Sequence, residues 1–139
     1  MGRTDDVINV AGHRLSTGAM EAVLAAHPAV AECAVIGVAD ELKGQVPRGL
    51  VVIKAGVEIE PAVLAAELVA LVRAEIGAVA ALREVAVVPA LPKTRSGKIL
   101  RRSMRGIADG REEPVPSTIE DPAVLDALRP VLRRQPAGP

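Results

Sequence analysis

The sequence contains no phenylalanine, tyrosine or tryptophan, although half of its 139 residues are hydrophobic. Any core must therefore be aliphatic, and the chain offers no aromatic ring on which a nucleic-acid base could stack. Basic and acidic residues are equally numerous, 17 of each, so no overall electric field attracts nucleic acid or a membrane surface. These absences argue against a nucleic-acid-binding protein.

Cysteine occurs once, at Cys33. A single cysteine excludes an internal disulfide and suits a reducing compartment. Cys33 lies in an apolar run, which favours a packing role over a reactive one. No apolar run approaches the roughly 20 residues that a membrane-spanning helix needs. The sequence therefore predicts a cytoplasmic protein with one modest core.

The hydrophobic pattern predicts a small α+β fold. Residues 7–10 and 13–15, separated by Ala-Gly, predict an N-terminal two-stranded hairpin. β-Branched runs predict three further strands, over about residues 30–38, 49–54 and 83–88. Apolar residues at helical spacing predict helices, over about residues 17–26, 61–76, 98–107 and 122–134. We expect a three-stranded sheet covered by helices, with the hairpin separate from it.

Residues 109–118 are polar and rich in proline, and they divide the chain into two parts. We interpret residues 1–108 as the hairpin, the sheet and a basic stretch. Residues 109–139 are interpreted as a linker and a C-terminal helix of the same domain. The abrupt start at Met-Gly-Arg, directly before a charged motif, is typical of a fragment of a longer protein.

Residues 91–102, Leu-Pro-Lys-Thr-Arg-Ser-Gly-Lys-Ile-Leu-Arg-Arg, hold five cationic side chains. Lys98 follows a Ser-Gly turn at the predicted start of a helix, where it can be aimed at an anion. A positioned cation can stabilise negative charge that develops during a reaction. From composition alone, a solvated charged face or a nucleic-acid patch remains an alternative interpretation of this stretch.

Other residues could contact an anionic ligand. Arg3 and Arg14 flank the hairpin, Arg73 lies late in its helix, and guanidinium groups suit phosphate oxygens. Gly12 has no side chain and would let a thin ligand pass close to the backbone. Taken one by one, such an arginine is usually a surface charge, and a glycine in a hairpin is usually a simple turn residue. No motif for a catalytic serine, a phosphate-binding loop or a metal site occurs in the sequence.

Two motifs resemble those of a known family. Residues 2–15, Gly-Arg-Thr-Asp-Asp-Val-Ile-Asn-Val-Ala-Gly-His-Arg-Leu, and residues 92–98, Pro-Lys-Thr-Arg-Ser-Gly-Lys, are similar to the C-terminal domain of adenylate-forming acyl-CoA synthetases. The resemblance covers essentially the whole chain, in order. The first motif is similar to the acetyl/propionyl-CoA synthetase branch. Residues 117–123, Ser-Thr-Ile-Glu-Asp-Pro-Ala, look more like propionyl-CoA synthetase.

The resemblance implies a two-step reaction with ATP and CoA as substrates. A carboxylate first attacks the α-phosphate of ATP and gives acyl-AMP and pyrophosphate. Lys98 resembles the lysine that bridges carboxylate and phosphate in this step, and Arg3 resembles an arginine that contacts the nucleotide. Mg²⁺ is expected to accompany ATP without being bound by this domain.

The small domain is then expected to rotate about a hinge at Asp5, so that the CoA thiol attacks acyl-AMP. By the same resemblance, Gly12 would line the tunnel for the pantetheine arm. Arg14 and Arg73 resemble residues at the phosphates and the adenine end of CoA.

The resemblance also implies regulation, because the same lysine is the acylation site of the family. Acetylation of Lys98 would remove the charge that the first step needs. A protein acetyltransferase and a deacylase are therefore implied partners. Arg101, Arg102 and Arg105 could help to dock the acetyltransferase, or they could form a solvated face.

The large N-terminal adenylation domain of the family, which holds the ATP-binding loop and the acyl pocket, is missing from these 139 residues. We therefore expect the chain to be inactive alone. An alternative is that the isolated domain serves as an acetyltransferase substrate or interaction module.

Overall fold

The computed structural model describes residues 7–10, 13–40, 44–77, 82, 84–110 and 116–133, with the backbone alone at 7–10, 13–15, 39–40, 44–45 and 133. The strands are β1 (Val7–Val10), β2 (His13–Ser16), β3 (Val30–Asp40), β4 (Gly44–Ile53) and β5 (Val85–Val87). The helices are α1 (Thr17–Ala25), α2 (Pro61–Glu75), α3 (Arg101–Ala108) and α4 (Pro122–Arg133). The predicted α+β class is confirmed.

Strands β3, β4 and β5 form a mixed three-stranded sheet. β3 and β4 are antiparallel, with Val30 opposite Ile53 and Asp40 opposite Gly44. β5 runs parallel to β4. The hairpin of β1 and β2 meets the end of β4 through a single pair, Val10 and Gly44. The predicted three-stranded sheet and the N-terminal hairpin are therefore confirmed. The hairpin is not separate, however, because it extends the sheet at one end of its central strand.

The central strand begins earlier than predicted, at Gly44 instead of residue 49. The first five residues, Gly-Gln-Val-Pro-Arg, include two residues that disfavour strands. Pairing with the long β3 nevertheless carries this segment into the sheet, with Pro47 opposite Gly37. Tertiary pairing overrides the local propensity here.

Each face of the sheet covers its own aliphatic cluster, as the alternating side chains of a strand require. Val35 and Val51 point to the first face, where they pack with residues of α1 and α2, namely Met20, Leu24, Leu64, Leu68 and Val72. Ala34, Ile36 and Leu50 point to the second face, where they pack with residues of α3 and α4, namely Met104, Ile107, Leu125, Leu128 and Leu132. Because both faces are buried, residues 33–39 of β3 and 49–53 of β4 are continuous apolar runs.

Two local features lie near the first face, and one of them confirms the packing role predicted for Cys33. The Ser16 hydroxyl accepts a hydrogen bond from the Ala19 N–H at 3.2 Å and caps α1. Cys33 is half-buried against the first cluster, and its thiol lies 3.3 Å from the carbonyl oxygen of Glu21.

Candidate functional site

Lys98 lies at the end of an ordered turn, residues 93–98, which we name the Lys98 loop. The Gly97 N–H donates to the Thr94 carbonyl, and the Thr94 N–H donates to the Lys98 carbonyl, both at 2.8 Å. The Lys98 N–H donates to the Thr94 hydroxyl at 3.1 Å. Gly97 adopts a φ of 91°, a conformation that favours glycine. Thr94 and Gly97 thus fix the backbone of Lys98.

The base of the loop is tied to the rest of the domain. Lys93 bridges Ile99 in an antiparallel pair, and the Leu100 N–H donates to the Pro92 carbonyl at 2.9 Å. The segment before α4 adds two backbone hydrogen bonds. The Arg95 N–H donates to the Thr118 carbonyl, and the Glu120 N–H donates to the Lys93 carbonyl. The Lys93 ammonium pairs with the Glu32 carboxylate on β3. Lys93 is therefore occupied in holding the loop.

The Lys98 side chain itself is exposed. Within the part of the chain that the structure describes, no hydrogen bond or ion pair engages its ammonium group. Its neighbours Arg95 and Arg102 are exposed as well. An anion can therefore reach Lys98 from solvent, and none of the residues that the structure describes encloses it.

Helix α3 begins later than predicted, at Arg101 rather than at Lys98. The backbone of residues 93–100 is committed to the loop bonds, so a helix can start only after Leu100. Lys98 consequently does not lie in the first turn of a helix. It is held by the loop three residues before that turn.

The structure also assigns a role to Arg101 that the sequence did not suggest. Its Nε and Nη2 atoms donate to the two carboxylate oxygens of Glu21, at 2.7 and 2.6 Å. Glu21 lies beyond the first turn of α1 and is buried. An acidic residue beside Met20 on the apolar face of a helix was the available signal for such a pair. Arg101 is half-buried, whereas Arg102 remains a surface charge.

The remaining predicted site residues are described only in part. Arg73 is exposed in the last turn of α2, which packs on the first face of the sheet, whereas the Lys98 loop leads into α3 on the second. Arg14 lies in β2 with its backbone opposite Asn9. Arg3, Asp5 and Gly12 lie outside the described residues. Their predicted roles, and those of Arg14 and Arg73, stay predictions.

Two further properties bear on the class of site. Within the described ranges, no three His, Cys, Asp or Glu side chains come together in a way that could hold a metal ion. The helices of the same ranges include none that is long and apolar enough to cross a bilayer.

The fold and the loop define a small α+β module that presents an exposed lysine on a hydrogen-bonded turn. Residues 19–98 match the family of AMP-binding enzyme C-terminal domains, and the chain belongs to this family. It is the C-terminal type of domain found in AMP-forming acyl-CoA synthetases.

The chain is similar to much longer proteins. It is 62% identical over 138 residues to an uncharacterized protein from Pseudomonas aeruginosa, covering 99% of this chain and 22% of that protein. It is 50% identical over 129 residues to acetyl-coenzyme A synthetase from Penicillium chrysogenum, covering 91% and 19%. The crystal structure of an acyl-CoA synthetase from Brucella canis aligns with a TM-score of 0.67 and 41% identity, covering 76% and 19%. The chain thus spans about a fifth of the length of these relatives.

Proposed function

We propose that this chain is the mobile C-terminal domain of an ATP-dependent acid–thiol ligase that activates a short-chain carboxylic acid, acetate or propionate, and transfers it to CoA. The observation that carries the proposal is the exposed Lys98 ammonium on a backbone fixed by Thr94 and Gly97. A cation held in this way meets the need of a reaction in which charge develops on a phosphoryl oxygen. The segment 117–123 favours propionate over acetate.

In the first half-reaction, Lys98 bridges the attacking carboxylate and the α-phosphate of ATP. Arg3 contacts the nucleotide, and Mg²⁺ arrives with ATP. Because Lys98 is exposed here, a second body must cover it to exclude water and strengthen its charge. That body is a large N-terminal adenylation domain, consistent with the length of the relatives. We name the protein with both domains the complete synthetase, and the isolated chain is inactive on this proposal.

In the second half-reaction, the domain turns about Asp5 and presents its other face. Gly12 lines the pantetheine tunnel, and Arg14 and Arg73 bind CoA phosphates and the adenine end. Two observations are in keeping with this division: Arg73 is exposed, and its helix packs on the face of the sheet opposite to α3. Domain rotation is the kind of step that can limit turnover.

The test separates the two half-reactions in the complete synthetase. Lys98→Ala should reduce acyl-AMP formation by at least about 10²-fold, because it removes a charge at the reacting atoms. Attack of CoA on supplied acyl-AMP should stay within about twofold of the unaltered enzyme. Lys54→Ala is the matched control, since Lys54 is an exposed lysine at the end of β4. Equal loss of both half-reactions in Lys98→Ala would remove the assignment.

A second function is compatible with the same exposure. Lys98 on its protruding loop is accessible to a protein acetyltransferase, and a deacylase would reverse the modification. The chain is incubated with such an enzyme and acetyl-CoA and is then analysed by peptide mass spectrometry. Acetyl groups should be found on Lys98 and not on Lys54. Modification of other residues with Lys98 untouched would contradict this function. The proposal also places the protein in the cytoplasm, together with the enzymes that modify it.

A further inference from the structure

Glu21 is the one buried acidic residue among those whose side chains the structure describes, with 6% of its surface exposed. A buried carboxylate is costly unless its oxygens are satisfied. Both oxygens receive donors from Arg101, at 2.6 and 2.7 Å, in a two-pronged arrangement. The Glu21 Oε2 atom also accepts the backbone N–H of Val35 at 2.8 Å. One carboxylate therefore joins α1, β3 and the first residue of α3.

The pair is directly connected to the Lys98 loop. Arg101 follows Lys98 by three residues, and the Leu100 N–H between them is bonded to Pro92 at the opposite side of the loop base. On that opposite side, Lys93 is held by Glu32 of β3. Ion pairs on both sides of the loop, at Lys93 and at Arg101, thus tie it to β3 and α1. The end at Arg101 is the more buried: the side chains of Arg101 and Glu21 are 16% and 8% exposed.

We infer that Glu21 and Arg101 are positioning residues for the first half-reaction, because together they set the place from which Lys98 reaches the carboxylate and the phosphate. The inference rests on the proposed function of Lys98. Neither residue touches the reacting atoms on this inference; both act through the start of α3 and the loop before it.

The chemistry of the pair favours positioning over stability. A buried ion pair often contributes little net stability, since desolvation offsets the attraction. A guanidinium fork, however, accepts a carboxylate in one orientation only. Displacement of a reacting group by about 1 Å can lower a rate by about 10²-fold. Breaking the pair from one side lowers stability, because the other charge then stays buried without this partner. Substitutions that keep the size or the charge of the side chain are therefore the ones that can reduce activity while the domain stays folded.

Two substitutions in the complete synthetase test the inference. Glu21→Gln keeps the size of the side chain and removes its charge, and Arg101→Lys keeps the charge and removes the fork. Each should lower the rate of acyl-AMP formation by roughly 10- to 100-fold. The KM for the carboxylic acid and the rate of CoA attack on supplied acyl-AMP should both stay within about twofold.

The matched control is Glu67→Gln. Its carboxylate also accepts a hydrogen bond from another element, the His27 Nε2 at 2.8 Å, but it lies on α2 and is half exposed. This variant should leave both half-reactions unchanged. If Glu67→Gln slows acyl-AMP formation as much as Glu21→Gln, the effect is general loosening and the inference is wrong.

A double substitution asks whether Glu21 acts through Lys98. In single-turnover measurements, Glu21→Gln added to Lys98→Ala should cost less than about twofold, because there is no longer a lysine to position. If the two losses multiply instead, Glu21 acts by another route and the inference fails. An Arg101→Lys variant that does not fold would identify the pair as a stability element, which also overturns it.

The same measurements keep the two proposals apart. If Lys98→Ala alone leaves acyl-AMP formation intact, the proposed function fails. If Lys98→Ala abolishes acyl-AMP formation and Glu21→Gln does not slow it, only the positioning role fails.

Discussion

Helix α4 lies beyond residues 19–98, the part of the chain that matches the family, and we predict that the domain cannot fold without it. Leu125, Leu128 and Leu132 are each at most 2% exposed and complete the cluster on the second face of the sheet. Burial of a leucine contributes about 1.5–3 kcal/mol, so the three together supply roughly 4.5–9 kcal/mol. A whole domain is stable by only about 5–15 kcal/mol. A chain that ends at Gly110 should therefore show no cooperative unfolding transition.

A single substitution in α4 tests the same idea with a smaller loss of stability that can be measured. Leu128→Ala deletes a side chain with 1% exposure and should cost about 3 kcal/mol, which lowers Tm by roughly 10 °C. Val63→Ala is the matched control, because Val63 is 48% exposed, and it should change stability by less than about 0.5 kcal/mol. Circular dichroism during thermal and urea unfolding of the 139-residue chain measures both variants and the truncated chain.

One result would refute this reasoning. If the chain ending at Gly110 unfolds cooperatively within a few degrees of the whole chain, α4 is an appendage. The second cluster is then not needed for folding, and residues 109–139 do not belong to the same domain. That outcome would also mean that the backbone bonds from Thr118 and Glu120 are not needed to fold the rest of the chain.

Two further predictions concern glycines. Gly12→Leu should block CoA attack on supplied acyl-AMP in the complete synthetase and leave acyl-AMP formation unchanged; normal CoA turnover would exclude the tunnel role. Gly97→Ala and Gly56→Ala place a side chain at positive φ in open space and should each cost about 1 kcal/mol in stability, seen in Tm. Acyl-AMP formation should be slower with Gly97→Ala and not with Gly56→Ala, because of these two glycines only Gly97 lies in the Lys98 loop; equal rates in the two variants would contradict this.

Local signals account for most of the secondary structure. Ser16 as an N-cap and Pro61 at the first position of a helix act within a few residues, so the starts of α1 and α2 could be read directly from the sequence. The first half of β4 could not, because pairing with β3, and not local propensity, holds Pro47 in a strand. The predicted start of α3 was wrong by three residues for a similar reason. Contacts with distant segments fix the backbone of the Lys98 loop, so the helix can begin only after it.

The limit of what can be predicted from the sequence is clearest for the buried charged residues. Arg48 is buried on β4 and donates to the carbonyl oxygen of Leu132 at 2.7 Å, in the last turn of α4. Glu21 and Arg101 are 80 positions apart in the chain. In the sequence, Arg48 and Arg101 look like surface charges, and only the position of Glu21 on the apolar face of its helix indicates burial. Their partners depend on how the sheet brings two helical layers together, and no local pattern contains that information.

The sequence by itself determined the aliphatic core and the α+β class and pointed to Lys98 as the candidate site residue, because composition, periodicity and a compact motif are local properties. The tertiary structure decided which cations remain accessible. Packing occupies Lys93 with Glu32 and Arg101 with Glu21, and it leaves Lys98 exposed on a backbone fixed by Thr94. The physical reason is that burial forces a charge to find a partner, and only the folded chain determines which charges are buried.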